Sequence, residues 1–393
     1  MWIRRRLDIS WRDLFYGIAQ CFIRRKESNC IEGIQRLWPR PENIFPCFSV
    51  RTGFDLLLDV LDVPEGSEVI ITAVTLPDMV RIIEDHGLVS VPVDITPDTM
   101  GCSRESVQKV ITPRSRIIVL TNLFGGRFPA DDIIDTAKKE GLIVVEDLAQ
   151  SFSGCIEDGH PKADVSMFSF GTIKTATALG GAVMSVRDPD IRDAMTERYS
   201  SYPYQTRRSY LLKLLKYTLL KTATYRMTFG ILVVLFNLIR IDYDRCIHKW
   251  SRGFPGPGFF GKIRRKPCVP LLALLRRRLN RYDRGRLSDQ RSKGERLLSI
   301  LGENIECPGT KAGNHVYWVF PVCVEKPDDA VDLLRRNGFD ATSRHSMYVV
   351  PVPEGNKTDA PDEAGRLLAH IVYLPFYPEI PFKEIERMGA FLK

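Results

Sequence analysis

Residues 141–154 are GLIVVEDLAQSFSG, and residues 163–186 are ADVSMFSFGTIKTATALGGAVMSV. The first stretch is an apolar run that ends at Asp147, which predicts a buried strand with a carboxylate at its end. The second places Lys174 five residues after Ser169, among small and apolar neighbours. A lysine in such surroundings forms a Schiff base readily, and a buried carboxylate keeps a pyridine nitrogen protonated. Together the two stretches predict a site for pyridoxal phosphate (PLP).

Short β-branched runs alternate with helical patterns from about residue 46 to residue 186. The runs predict strands over 68–74, 89–95, 116–122 and 142–148, and the patterns between them predict helices over 54–62, 78–87 and 129–141. Such alternation indicates an α/β fold whose largely parallel sheet is covered on both faces. Ligands of these sheets bind beyond the carboxyl ends of the strands, which is where Asp147 is expected.

The composition is that of an ordinary globular protein of 393 residues, with 44% hydrophobic and 26% charged residues. Its nine cysteines include no CxxC pair, which favours the reduced thiols of a cytoplasmic protein over a disulfide framework or a zinc site. The six histidines show no HExxH or similar spacing, so we predict no metal site.

Positive charge is concentrated in one region of the chain. The net charge is +8, but residues 204–286 alone hold 20 Lys or Arg against three Asp. Such a block indicates either a local anionic partner, such as phospholipid, nucleotide or nucleic acid, or a solvated helical face. We do not expect nucleic-acid binding, because the arginines at 276–278 have no interleaved aromatic residues.

The segment 210–241 is unusually apolar and basic. Its first half has lysines among leucines, and its second half, 227–239, has 13 residues without a charge. A helix needs about 20 apolar residues to cross a bilayer, so we expect peripheral contact with an anionic membrane surface. The alternative is a helical hairpin buried against the protein or a partner subunit.

The sequence divides into four parts. These are a basic helical segment over 1–45, a large PLP-binding domain over 46–200, a hydrophobic and basic helical insertion over 201–260, and a long helix with a small α+β domain over 261–393. In the first part we expect a surface or interfacial helix rather than a signal peptide, because its apolar run is short and interrupted by Gln20. The last part should hold one long helix over about 268–301 and a strand over 315–324.

The motifs SVRTGFDLL, EDLAQS and SFGTIK followed by a glycine pair resemble those of the DegT/DnrJ/EryC1/StrS aminotransferases. The resemblance covers roughly residues 45–200 and resumes at about 260. It implies the fold type I of PLP-dependent transferases, with a mostly parallel mixed sheet in the large domain and a small C-terminal α+β domain. It also implies a homodimer, because fold type I sites lie between two subunits.

The resemblance implies roles for four residues of the two opening stretches. Lys174 would hold PLP covalently and later move protons at the substrate carbon. Asp147 would pair with the pyridinium nitrogen, and Gln150 would contact the side of the cofactor that carries the phenolic oxygen. Ser169 would hydrogen-bond the phosphate.

A second implied phosphate contact lies where a helix begins near residue 50. There the resemblance assigns the phosphate to Thr52 and to the backbone from Arg51 to Gly53, since N–H groups at a helix start face an anion. An ordinary N-cap is the alternative for Thr52.

Three positions depart from the family pattern. Leu76 stands where the family has an aromatic residue stacked on the pyridine ring, and Thr175 follows the lysine where asparagine is usual. The stretch GFFGKIRRK, 258–266, lacks the asparagine that the family supplies to the neighbouring subunit's phosphate. Lys262, Arg264 or Arg265 is the candidate replacement.

These features predict a PLP-dependent aminotransferase. The expected reaction moves an amino group from an amino acid, typically glutamate in this family, to a keto group of a nucleotide-linked sugar or a related acceptor. One alternative is a membrane-associated enzyme acting on a lipid-linked acceptor, and another is a non-catalytic protein with the same fold. Dehydratase relatives have histidine in place of the lysine, so Lys174 argues against that reaction.

Overall fold

The structure, a computed structural model, describes residues 1–4, 6–226, 228–230, 233, 236, 254, 256–356 and 358–393. Eight strands occur in the first half of the chain: β1 (Ile44–Cys47), β2 (Glu68–Thr72), β3 (Val74–Thr75), β4 (Val89–Val93), β5 (Ser115–Thr121), β6 (Ile143–Asp147), β7 (Val165–Ser169) and β8 (Ala182–Val186). All of them except β3 form one sheet in the order β1-β8-β7-β6-β5-β2-β4.

The sheet is mixed but mostly parallel, as the sequence predicts. Strands β4, β2, β5, β6 and β7 run parallel, whereas β8 is antiparallel to β7 and β1 is antiparallel to β8. Ile70 and Ile71 are both fully buried although they point to opposite faces, so both faces are covered. Burial on two sides explains why the strands are continuous apolar runs.

Helices cover both faces of the sheet. On one face α3 (Val50–Leu61), α4 (Pro77–Asp85) and a later helix at Pro189–Ser200 share a core with Ile71. On the other face α5 (Arg104–Val110) and α6 (Asp131–Lys139) pack on Ile70. The helices predicted over 54–62, 78–87 and 129–141 are confirmed, with shifted ends.

A further layer of helices covers the β1–β8 end of the sheet. Its members are α1 (Trp11–Gln20), α2 (Glu27–Gln35), α8 (Arg207–Ala223) and α10 (Val269–Asn280). The remaining helices of this part of the chain are α7, the helix at Pro189–Ser200 named above, and the short α9 (Phe259–Ile263). Gly17 lets α1 approach closely, because a Cβ atom there would lie 3.0 Å from Leu214 and from Leu274. The N-terminal segment is therefore packed into the fold along one side, and its other side remains at the surface.

The C-terminal part is a small α+β unit. It contains α11 (Gly285–Leu301), β9 (Phe320–Cys323), α12 (Pro327–Arg336), β10 (Tyr348–Val349), α13 (Asp362–His370), β11 (Ile371–Leu374) and α14 (Phe382–Ala390). Strands β9 and β11 pair antiparallel, and α11 packs on α14 around a core that includes Leu297, Phe320 and Met388.

Two predictions about this part are wrong in detail. The single helix expected over 268–301 is two helices, α10 and α11, separated at residues 281–284, where the Asp283 carboxylate accepts the Gly285 amide. The strand expected over 315–324 is only β9, because Tyr317 has a φ of +46° that no strand accommodates.

No helix among the described residues is long and apolar enough to cross a membrane. Of the apolar segment 227–239, most residues lie outside the described part of the chain. Phe229 and Val233 are described, and both are buried against Ile3.

The packing of α1 generates a stability prediction. Leu14→Ala should lower the free energy of unfolding by about 2–5 kcal/mol, because Leu14 is fully buried and its removal leaves a cavity. Phe15→Ala is the matched control, since Phe15 is 61% exposed and its loss should change stability by less than about 0.5 kcal/mol. Urea denaturation measures both, and equal values would show that α1 is not packed as described.

Candidate active site

Asp147 and Ser169 lie at the carboxyl ends of neighbouring parallel strands. Asp147 is the last residue of β6 and pairs with Met167 of β7, so Ser169 lies two residues further along the same edge. Parallel strands bring their ends to one edge of a sheet, and this edge is where α/β proteins bind ligands. The edge therefore collects two of the predicted site residues.

Asp147 is a buried carboxyl group with one oxygen left for a ligand. One oxygen accepts the Ala149 amide at 2.8 Å, and the other makes no hydrogen bond among the described residues. Burial raises the pKa of Asp147, while the nearby charges of Lys174 and Arg51 oppose that rise. A buried carboxylate of this kind is stabilised by a cationic N–H donor.

Gln150 and a turn at residues 123–126 come together beside this edge. The side-chain oxygen of Gln150 accepts the Phe124 amide at 3.1 Å, and its nitrogen points at the Met347 sulfur 3.9 Å away. Gly125 has a φ of +102°, and a Cβ atom there would lie 2.6 Å from the backbone nitrogen of Trp318. Glycine at this position allows Trp318 to approach the site.

Lys174 rests on an aromatic ring contributed by the C-terminal part of the chain. Its ammonium nitrogen lies 4.1 Å from the centre of the Trp318 ring, which favours a cation–π contact. The Trp318 indole also donates to the Ile173 carbonyl at 2.9 Å. Trp318 thus contacts both the lysine side chain and the carbonyl of the residue before it.

The Lys174 loop, residues 170–181, has a strained backbone. Ala176 and Leu179 have φ values of +54° and +60°, a region that residues other than glycine rarely adopt. Each such conformation costs about 1–3 kcal/mol and persists only where the surroundings impose it. The Thr177 hydroxyl donates to the Gly171 carbonyl at 2.5 Å, which ties the loop to itself.

Four distant segments hold the Lys174 loop from outside. They do so through Trp318, through Asp8, which accepts the Ala176 amide at 2.7 Å, through Arg278, which donates to the Thr177 carbonyl at 3.1 Å, and through Tyr210, which donates to the Ala178 carbonyl at 2.7 Å. The loop is therefore fixed by the N-terminal segment, α8, α10 and the residues before β9.

A cleft opens beside Lys174 between the N-terminal segment and the C-terminal part. Arginines and aromatic residues line much of it, including Arg4, Arg6, Tyr282, Arg286, Trp318 and Tyr377. Glu379 bridges two of the arginines, at 3.5 Å from Arg6 and 2.8 Å from Arg286. The cleft can take a polar substrate against the lysine.

The start of α3 is less open than the sequence indicates. Ser49 is the N-cap and accepts the Thr52 amide at 3.1 Å, while the fully buried Thr52 hydroxyl donates to the Ile263 carbonyl at 2.7 Å. Arg51 forms an ion pair with Asp78 at 2.5 Å. Thr52 thus has an internal acceptor in this structure, and the role predicted for it and for Gly53 at a phosphate stays a prediction.

Leu76 and the stretch 258–266 also lie near this helix. Leu76 precedes α4 and packs at the edge of the core beneath the site. Arg264 donates to both oxygens of Asp55, at 2.8 and 2.9 Å, and pairs with Asp85 at 2.9 Å. Arg264 is therefore already paired with two carboxylates.

The residues of this site fit PLP at the ring end of the cofactor. Asp147 offers a buried oxygen for a pyridinium N–H, and Lys174 lies close enough to affect the charge of Asp147. At the phosphate end, Ser169 is half-buried at the strand edge. Lys174 would supply the covalent attachment. Asp147, Ser169 and Lys174 all belong to the two sequence stretches, 141–154 and 163–186, that predicted the site.

Residues 47–217 match the model of the DegT/DnrJ/EryC1/StrS aminotransferase family. The chain is also 30% identical over 145 residues to a UDP-4-amino-4-deoxy-L-arabinose–oxoglutarate aminotransferase of Shewanella sediminis (strain HAW-EB3). That alignment covers 36% of this chain and 37% of the relative, so the chain matches little more than a third of that protein's length.

Solved structures resemble the whole chain. The aminotransferase TlmJ from Streptoalloteichus hindustanus gives a TM-score of 0.71 at 16% identity, over 100% of this chain and 98% of that one. The E. coli GDP-4-keto-6-deoxy-D-mannose-3-dehydratase with bound hydrated PLP gives 0.69 at 16% identity, over 100% of both chains. At such low identity the likeness establishes the fold, which is fold type I as expected.

Three residues important to this site were not predicted from the sequence. Asp8, Arg278 and Trp318 reach the Lys174 loop from positions more than 100 residues away. No local pattern marks them, because each contact forms only when distant elements pack. The strained φ values of the loop are the structural feature that identifies their role.

Burial of Asp147 predicts a pH-dependent stability difference in the protein prepared without PLP. Because the pKa of Asp147 is raised on folding, its contribution to stability is present at low pH and is lost as pH rises from about 4 through the folded pKa. Asp147→Asn removes that loss and keeps an oxygen for the Ala149 amide. It should be more stable than wild type at pH 8, and this advantage should shrink as the pH is lowered to about 3.5, below the pKa of an unfolded aspartate.

Urea denaturation at the two pH values measures this difference. Asp98→Asn is the control, because Asp98 is an exposed partner of Lys311 and its replacement should have little effect. A wild type that is the more stable protein at pH 8 would contradict the prediction.

Proposed function

We propose that this chain is a PLP-dependent aminotransferase of the DegT/DnrJ/EryC1/StrS family, whose model matches residues 47–217. The observation that carries the proposal is the position of the buried Asp147 at the end of β6, with Lys174 in the loop that follows the neighbouring strand β7 and with its charge opposing the rise in the pKa of Asp147. Bound PLP supplies an electron-accepting ring that stabilises negative charge at the substrate carbon. The amino acid donor leaves as a 2-oxo acid, and its amino group ends on the keto carbon of the acceptor.

The residues at the sheet edge have separate tasks in this proposal. The Lys174 amine would attach the cofactor covalently and, once released, would accept the proton lost by the amine-bearing carbon of the donor and later supply the proton gained by the former keto carbon of the acceptor. Asp147 holds the ring nitrogen protonated, because a carboxylate out of water strongly favours a cationic partner. Ser169 and the start of α3 bind the phosphate, and Gln150 lies beside the ring, held by the Phe124 amide.

We propose glutamate as donor and a nucleotide-linked keto sugar as acceptor. The proposal is supported by the family match and by the relative from Shewanella sediminis, which is named as an aminotransferase of a UDP-linked sugar and oxoglutarate. The polar and aromatic cleft beside Lys174 suits a sugar, since aromatic rings and planar polar side chains both line it. Lys174 favours transamination over the dehydratase reaction, because the dehydratases of the resembled family have histidine at this position.

A homodimer is part of the same proposal. Fold type I sites lie between two subunits, and the stretch 258–266 is where a family member would contribute to its partner's phosphate site. Here Lys262 and Arg265 are the residues proposed for that contact.

Replacement of Lys174 tests the proposed function. Purified wild type should take up PLP with the visible absorbance of covalently bound cofactor, and glutamate alone should convert it and release 2-oxoglutarate. Lys174→Ala should lose that absorbance and lower the rate by at least about 10⁴-fold, because both the attachment and the proton transfer are lost. Lys162→Ala is the control, since Lys162 forms only a surface ion pair with Asp135.

Absence of PLP uptake by wild type would overturn the proposal. Uptake of PLP without release of 2-oxoglutarate would leave the cofactor assignment intact and refute the transaminase assignment with glutamate.

We further propose that this protein contacts an anionic membrane surface through the exposed sides of α1 and α8, which we call the α1–α8 face. Large apolar side chains are exposed there: Phe15 at 61%, Phe22 at 73%, Leu212 at 57% and Leu219 at 70%. Isolated exposed leucines are common, whereas a cluster of this size on two contacting helices indicates an interaction surface.

The charges of this face favour anionic lipid over a second protein. Arg12, Arg24, Arg208 and Lys216 are exposed on or beside α1 and α8, and α8 contains no acidic residue. Basic side chains beside apolar ones bind the boundary between lipid headgroups and acyl chains. This surface supports the alternative that the acceptor is lipid-linked.

Co-sedimentation with vesicles tests the α1–α8 face. Wild type should bind vesicles that contain phosphatidylserine at low salt, and the variant Phe22→Ser/Leu219→Ser should bind at least about tenfold less, because each buried apolar side chain contributes roughly 1.5–3 kcal/mol. Leu333→Ser is the control, since Leu333 is 43% exposed on α12. Failure of wild type to bind at low salt would remove the proposal and favour a protein partner at this face.

A further inference from the structure

The strain of the Lys174 loop raises the question of what imposes it. Ala176 and Leu179 are fully buried and left-handed, and neither is a glycine. A strained backbone relaxes unless its groups are bonded to rigid neighbours. The Ala176 amide lies two residues from Lys174, and its acceptor is the carboxylate of Asp8 at 2.7 Å.

Asp8 is itself held in place by α10. Arg278 donates to the Asp8 carbonyl at 2.5 Å and lies 3.6 Å from its carboxylate. The same guanidinium donates to Asp13 at 2.9 Å and to the Thr177 carbonyl at 3.1 Å. Arg278 is buried, so its bonds to Asp8 and to the loop are shielded from water and are stronger than on the surface.

The N-terminal arm, of which residues 2–4 and 6–9 are described, lies between the small C-terminal unit and the Lys174 loop. Trp2 exchanges backbone hydrogen bonds with Gly338 at 2.7 Å and Asp340 at 2.8 Å. Arg4 pairs with the fully buried Asp340 at 3.2 Å. The arm therefore begins on the C-terminal unit and ends at the Lys174 loop, and between them it lines the cleft beside Lys174.

We propose that Asp8 is a positioning residue for Lys174, acting through the Ala176 amide and oriented by Arg278. The inference rests on the proposed aminotransferase function and extends it, because the family match covers neither Asp8 nor Arg278. Asp8 keeps the loop in its left-handed conformation, which aims the lysine side chain at the cleft. Loss of the acceptor lets Ala176 relax and moves the amine away from the reacting carbon.

Two substitutions of Asp8 separate positioning from charge. Asp8→Asn keeps an oxygen that accepts the Ala176 amide, whereas Asp8→Ala removes it. We expect Asp8→Ala to slow the single-turnover reaction with glutamate by about 10- to 100-fold, because a small misplacement of a catalytic group has effects of that size. The apparent affinity for glutamate should change less than about twofold, and Asp8→Asn should stay within about threefold of wild type.

A measurement without cofactor tests the same contact independently of activity. Hydrogen exchange followed by mass spectrometry should show faster exchange in the 170–181 peptide of Asp8→Ala, with peptides from β2 and β5 unchanged and Asp8→Asn like wild type. Asp98→Ala is the surface control. If Asp8→Ala does not fold, Asp8→Ser replaces it, since its shorter side chain also withdraws the acceptor.

The outcomes decide between positioning and other roles. A normal rate for Asp8→Ala, an equal loss in Asp8→Asn, or a loss confined to glutamate affinity would each overturn the proposal. If wild type itself releases no 2-oxoglutarate, the proposed function fails, while faster exchange confined to the 170–181 peptide still supports the Asp8 contact.

Discussion

The site depends on one buried carboxylate at the end of a parallel strand. Asp147 is 7% exposed, and one of its oxygens accepts the Ala149 amide while the other has no hydrogen-bond partner among the described residues. A carboxylate removed from water is costly unless a positive group compensates it. Along the parallel strands the end of β7 lies beside the end of β6, and the loop that carries Lys174 follows β7.

The second constraint is the backbone of the Lys174 loop. A loop with two left-handed residues is unstable alone, so it binds the N-terminal arm, α8, α10 and Trp318. This explains why the segments that flank the family-like region are part of the fold. Helix α8 has two roles, because Tyr210 holds the loop on its inner side while Leu212 and Leu219 are exposed on its outer side.

Folding pairs part of the basic region with carboxylates. Arg264 pairs with Asp55, Arg277 and Arg278 pair with Asp13, and Arg286 pairs with Glu379. The acidic remainder of the chain thus supplies partners for these four arginines, an outcome that charge counting along the sequence does not distinguish from a solvated face.

Local sequence patterns determined the strands and the main helices of the large domain, because burial on both faces of the sheet requires continuous apolar runs. They also determined the placement of Asp147 and Ser169, because a strand ends at the first polar residue after such a run. They also identified Lys174 and Gln150 through short motifs. Tertiary structure alone decided that one predicted helix is two, that the Thr52 hydroxyl is bonded to Ile263, and that Asp8, Arg278 and Trp318 surround the lysine. The physical reason is that these contacts join residues far apart in the chain, so no local pattern encodes them.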